Sequence, residues 1–123
     1  FTIDVPFGFT LHNQDMPAGK YQIHIRRQGL ADHLRVSNAA TKKSVIIFAL
    51  PKETPSTTSK SKVIFRRYGN QYFLGEIWPM WGSGHEIARS KMERRLIRQT
   101  REDHLAVNTT PFSKTEIVAL AGQ

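Results

Sequence analysis

The sequence predicts a mainly β domain: an antiparallel β-sandwich, Ig-like or a partly open barrel, with one helix near residues 86–102. Three observations carry this. The first eleven residues alternate strictly between apolar and non-apolar, a Gly-Asn pair separates two strand-like runs, and turn clusters divide about seven short apolar segments at roughly ten-residue spacing. The repeated strand-then-helix order of a parallel sheet is absent. The 123 residues make one domain, because two separate cores of about 60 residues would each be marginal.

At the N-terminus, Phe1, Ile3, Val5, Phe7, Phe9 and Leu11 alternate with Thr2, Asp4, Pro6, Gly8 and Thr10, which is the period of a strand with one buried face. Pro6 donates no ladder hydrogen bond and Gly8 brings no side chain, so the strand is expected to break or kink there. A turn cluster over Asn13–Gly19 precedes a second alternating run with Tyr21, Ile23 and Ile25 on one face and His24 on the other. Leu34-Arg35-Val36 follows. Ser44–Leu50 is then an almost continuous apolar run, the pattern of a strand covered on both faces. Residues 51–61 turn to Pro, Ser, Thr and Lys and read as a long loop. Lys62–Tyr68 and Gln71–Trp78, joined by Gly69-Asn70, form the clearest hairpin.

Residues 86–102 contain no Gly or Pro and are rich in Glu, Arg, Lys, Met, Ala and Leu, so they favour helix, with Ala88, Met92 and Leu96 as a narrow apolar seam. Two short apolar pieces, Leu105–Val107 and Glu116–Leu120, complete the chain.

Composition excludes several classes. There is no cysteine, which removes disulfide scaffolds, thiolate metal sites and cysteine nucleophiles. The longest apolar run, Val45–Leu50, is far short of the ~20 residues a membrane helix needs, so no membrane insertion is expected. The chain opens on Phe1 with no basic and apolar leader, which fits an exported protein whose leader has been removed.

Charge points to a class of partner. Eighteen Lys and Arg against ten Asp and Glu give a net charge of +8, which attracts polyanions. The candidate contacts are Arg26 and Arg27, Arg66 and Arg67, and the helix residues Arg94, Arg95 and Arg98. Across 86–103, however, six basic residues face four acidic ones, leaving only +2 and a mixed, solvated surface.

No pattern announces a catalytic site. The five histidines, His12, His24, His33, His85 and His104, are dispersed and form no metal-ligand spacing. There is no Gly-x-Ser-x-Gly elbow, and the carboxylates lie in different elements. A non-enzyme with no metal and no cofactor is expected. Asn108-Thr109-Thr110 fits the N-glycosylation pattern, with a plain polar loop as the simpler reading.

The first strand carries the strongest functional inference. Burying six apolar side chains at about 1.5–3 kcal/mol each is worth at most about 9–18 kcal/mol, comparable to a whole domain's net stability. Such a segment either packs in its own sandwich or adds to a neighbouring subunit as a donated strand.

The stretches Val5–Phe9, Met16–Tyr21, Phe65–Leu74 and Thr115–Leu120, together with the Arg/Lys/Glu helix, resemble a family of small exported bacterial β-rich proteins of unknown function. The resemblance covers most of the chain and implies a secreted or cell-surface location, but no catalytic residue. The expected function is a non-catalytic extracellular structural subunit that forms a homo-oligomer or filament, with Phe1, Ile3, Val5, Phe7 and Phe9 as the donated or interface face. The alternative is a basic polyanion-binding module for nucleic acid or anionic polysaccharide.

Overall fold

The computed structural model describes residues 1–28, 30–53, 61–79, 83–99, 102–109 and 115–120. They form eleven strands and one helix: β1 (Thr2–Val5), β2 (Phe9–Leu11), β3 (Gln14–Met16), β4 (Gly19–Gln28), β5 (Ala31–Asn38), β6 (Ser44–Lys52), β7 (Lys62–Tyr68), β8 (Gln71–Trp78), β9 (Gly84–Glu86), α1 (Lys91–Gln99), β10 (Glu102–Thr109) and β11 (Thr115–Leu120). The protein is mostly β with one short helix, as expected. The strand path runs β1-β4-β5-β6-β9-β8-β7-β10-β11, an open sheet and not a closed barrel. The expected loop over 51–61 is shortened at its start, since Pro51 and Lys52 belong to β6; residues 54–60 lie outside the described residues, as do Trp81, Gly82 and Arg101.

The N-terminal alternation produces the expected strand and break. β1 ends at Val5 and β2 begins at Phe9, either side of Pro6 and Gly8. β1 lies antiparallel to β4, with Ile3 opposite Tyr21. β2 turns back into β3 through His12, which takes a left-handed backbone with φ of 59°. The Asn13–Gly19 cluster is therefore not one turn but a short strand between two turns.

The inner faces of β1, β4, β5 and β6 and of β7, β8 and β10 share one core, including Ile3, Val5, Phe9, Leu11, Tyr21, Ile23, Leu34, Val36, Ile47, Val63, Phe65 and Val107. Aromatic rings close it at the β2 end. Phe7 stacks on Tyr72 with ring centroids 4.1 Å apart, and Phe9 meets Tyr21 and Phe65 edge-on.

The Gly-Asn hairpin forms as the sequence predicts, Gly69 taking φ of 62°. One irregularity was not foreseen: the register slips between Ile64 and Phe65, so Gly75 is the extra residue on β8. A Cβ on Gly75 would come within 3.1 Å of the Arg66 side chain, so a glycine there lets Arg66 lie across the bulge.

The helix departs from expectation. Gly84–Glu86 is strand, not helix, and α1 starts only at Lys91, capped by Ser90, whose Oγ accepts the Glu93 N–H at 3.3 Å. The Ala88-Met92-Leu96 seam does not face the sheet: Ala88 is exposed and Met92 is 46% exposed. The one buried helix residue is Glu93, because its carboxylate binds Arg66 and the Tyr68 hydroxyl of β7. A charged anchor, and not an apolar stripe, holds this helix.

Candidate functional site

Strand geometry sends Val45, Ile47 and Ala49 toward the core and Ile46, Phe48 and Leu50 the other way. The apolar run of β6 implies cover on both faces, but nothing among the described residues covers the second. Ile46 and Phe48 are each 64% exposed and Leu50 is 60% exposed. This is the largest departure from the sequence expectation. An apolar column of this size on a sheet face marks a surface that meets something else.

Neighbouring strands complete the surface. In register, His24 of β4 lies opposite Arg35 of β5, and Arg35 opposite Ile46; in the next outward row, Arg26 lies opposite His33, and His33 opposite Phe48. The His33 and Phe48 rings meet edge-on at 4.6 Å. The face therefore carries a cationic double column beside an apolar column. Among the described residues the remaining outward positions of these strands carry no carboxylate: Gln22, Ala31, Ser37 and Ser44 are uncharged and Lys20 and Lys52 are basic, so none on these strands offsets His24, Arg26 and Arg35. An open groove of about 480 Å³ runs among His24, Arg26, His33, Arg35 and Ile46.

The strand edge is also open. β6 pairs with β5 from Ser44 to Ala49, but with β9 only from Leu50 to Lys52. Beyond Glu86 the chain leaves β6, and the Ile87 N–H donates instead to the Gly75 carbonyl at 2.8 Å. Residues 44–49 thus keep one edge without a strand partner among the described residues. A second groove of about 300 Å³ follows this edge, lined by His12, Ile46, Ile47, Phe48, Ile87 and Ala88.

Two other polar clusters lie elsewhere in the fold. His85 Nδ1 lies 2.7 Å from Asp32 Oδ2, without the alignment of a hydrogen bond, and Nε2 has no partner among the described residues. Burial lowers the His85 pKa, outweighing the Asp32 carboxylate, and holds the ring neutral. The imidazole is fully buried, so no substrate reaches it. The second cluster is at the sheet surface, where Lys52 Nζ bridges Glu76 at 3.1 Å and Glu86 at 3.3 Å, and the Trp78 indole N–H donates to Glu76 at 2.9 Å. Burial works against the Lys52 ammonium, but the two carboxylates outweigh it and raise its pKa. This cluster ties β6, β8 and β9 together. Among the described residues no group of three or more His, Asp or Glu is placed to hold a metal.

The residues expected from the sequence separate. Ile3, Val5 and Phe9 lie in the chain's own core, and Phe1 and Phe7 pack against it. Arg66 is corrected: it is 3% exposed and paired with Glu93, because the helix caps that face of β7, so it meets no polyanion. Arg67 is half-buried, Arg94, Arg95 and Arg98 are exposed on the helix, and Arg26 and Arg27, adjacent on β4, point to opposite faces of that strand. The expected basic set is not one surface. Asn108 lies in β10, paired on one side with Lys62 and on the other with Glu116, and not in a loop; its side chain and Thr110 lie outside the described residues.

Missed from the sequence were His33 and Arg35, which only strand register brings beside Arg26, and the exposure of Ile46, Phe48 and Leu50. The signal for the latter was present: Ser44, Ile46, Phe48 and Leu50 share one parity with polar Ser44 at its start, whereas Val45, Ile47 and Ala49 share the other.

No helix among the described residues is long and apolar enough to cross a membrane. No family model, no curated protein and no solved structure matches the chain.

Proposed function

We propose that the protein is a non-catalytic, exported structural subunit that self-associates through the open edge and apolar column of β6. The observation that carries this reading is the coincidence on one strand of an unpaired edge over residues 44–49 with exposed Ile46 and Phe48. Long, flat, apolar edges are templates for another strand, and folded proteins normally blunt them with charge, proline or a covering loop. Between Ser44 and Ala49 there is no proline and no charged residue.

The occupant that fits is a second copy of the same edge. Antiparallel pairing about Ile47 sets Ile46 of each copy opposite Phe48 of the other, an aliphatic-aromatic pair of the kind that stabilises sheets. It also keeps Arg35 and Arg26 away from the joint, β5 and β4 lying one and two strand spacings of about 4.8 Å behind it. Donation of strand 1–11 is the less favoured route, since it would strip Ile3, Val5, Phe9 and Leu11 from the chain's own core.

A secreted or cell-surface location goes with this reading through the family resemblance. The test is multi-angle light scattering over roughly 10–500 µM, a range that reads dissociation constants in the micromolar range. The expected result is a mass that rises from one chain toward two in wild type and stays at one chain in Phe48→Lys. A wild-type mass of one chain throughout overturns the reading.

A further inference from the structure

We propose that the outer face of β4, β5 and β6 is a peripheral docking surface for an anionic lipid bilayer, entered by the tip of the β4–β5 hairpin and the outward column of β6. Leu30 is 94% exposed at that tip, next to the paired ends Gln28 and Ala31. Leu50 lies one residue past the Asp32–Ala49 end of the β5–β6 register, and Phe48 opposite His33 and Ile46 opposite Arg35 follow, so apolar exposure runs from near the tip along the face. Arg26 and Arg35 are exposed alongside. Of the carboxylates beside the face, Glu86 opposite Leu50 and Glu76 beyond it are both engaged by Lys52, and Asp4 of β1 lies opposite Lys20.

Exposed aliphatic side chains flanked by arginine are the chemistry of an interfacial anchor: acyl chains receive the leucines and isoleucine, and headgroup phosphates meet the guanidinium groups. The alternatives fit less well. Nucleobases are gripped by aromatic faces, yet three of the four exposed side chains are aliphatic and Phe48 already meets His33. Docking of this kind is separate from crossing the membrane, and separate from edge pairing between copies, which would extend this face without covering it.

The experiment is co-sedimentation with vesicles of phosphatidylcholine alone and of equal parts phosphatidylcholine and phosphatidylglycerol, at low and high salt, with heparin as the soluble polyanion. Expected is binding to the anionic vesicles only, weakened by salt. Arg26→Glu with Arg35→Glu should weaken it by at least roughly 25-fold, about five-fold for each arginine. Leu30→Ser should also weaken it by several-fold while leaving heparin retention unchanged; at so exposed a position its thermal melt should match wild type, and Phe48→Ser provides a second apolar variant.

Three results overturn the proposal: no sedimentation with anionic vesicles, equal sedimentation with neutral ones, or vesicle binding that Leu30→Ser and Phe48→Ser leave intact while heparin competes it away. The last would identify a soluble-polyanion surface acting through charge alone. Light scattering without lipid reads self-association independently, so either proposal can fail without the other.

Discussion

Arg66 of β7 and Glu93 of α1 form a two-pronged ion pair in a space closed to water, the guanidinium Nε and Nη2 each reaching one carboxylate oxygen. Tyr68 donates its hydroxyl to the same carboxylate at 2.6 Å, and Nη2 also donates to the Ile87 carbonyl at 3.0 Å. Removing one member strands the other charge in a dry site. Glu93→Ala should therefore lower unfolding stability by about 3–5 kcal/mol, whereas Arg66→Met combined with Glu93→Leu should lie closer to wild type than either single change. Urea denaturation of the three variants checks this, and additive losses would contradict it.

Gly84 faces the Trp78 ring so closely that an added Cβ would sit 2.5–2.6 Å from three ring carbons. Both partners are in a sheet and neither can move far, so Gly84→Ala should cost about 1–3 kcal/mol. Gly8→Ala is the control. Its added Cβ meets nothing nearer than the Met16 carbonyl oxygen at 3.6 Å, and its melting temperature should stay at or slightly above that of wild type.

Acidification should destabilise the fold through His85. Its folded pKa is lowered by burial, beneath the roughly 6.5 of the unfolded chain. Between the two values the unfolded chain holds the extra proton, so stability rises with pH through that window and is lost as pH falls from about 6.5. His85→Gln removes this titration. The difference in unfolding free energy between wild type and variant should shrink steadily from pH 7.5 to pH 5, and a constant difference would show that His85 does not titrate this way.

The N-terminal strand gives a test that separates the two routes of assembly. Ile3 is 2% exposed in the shared core, so Ile3→Ala should cost about 2–5 kcal/mol yet leave the mass of the still-folded protein unchanged. Analytical ultracentrifugation beside a thermal melt reads both quantities. Loss of association with no loss of stability would instead restore the donated-strand route.

Much of the fold was legible because its signals are local. The odd-position alternation of 1–11, the break at Pro6-Gly8 and the Gly69-Asn70 hairpin each follow from a few neighbouring residues, and each formed. What was not legible depends on partners far apart in sequence. Glu93 looked like part of a solvated helix face because its binding residues, Arg66 and Tyr68, lie 27 and 25 positions away. Asp32 and His85 met for the same reason. The candidate surface was half-readable: the run Val45–Leu50 was visible, but a strand buried on two faces and one buried on a single face carry the same apolar residues. Only whether another layer covers the outer face, which depends on residues distant in sequence, tells them apart.

The free edge of β6 is proposed to pair with a second copy. Amide hydrogen exchange of residues 44–49, followed at roughly 10 µM and roughly 500 µM protein, addresses it most directly, since edge pairing protects amides that are otherwise open to water. Protection that increases with concentration on 44–49, while β4 and β5 stay unchanged, is the predicted result. Exchange on 44–49 that is identical at the two concentrations would contradict it.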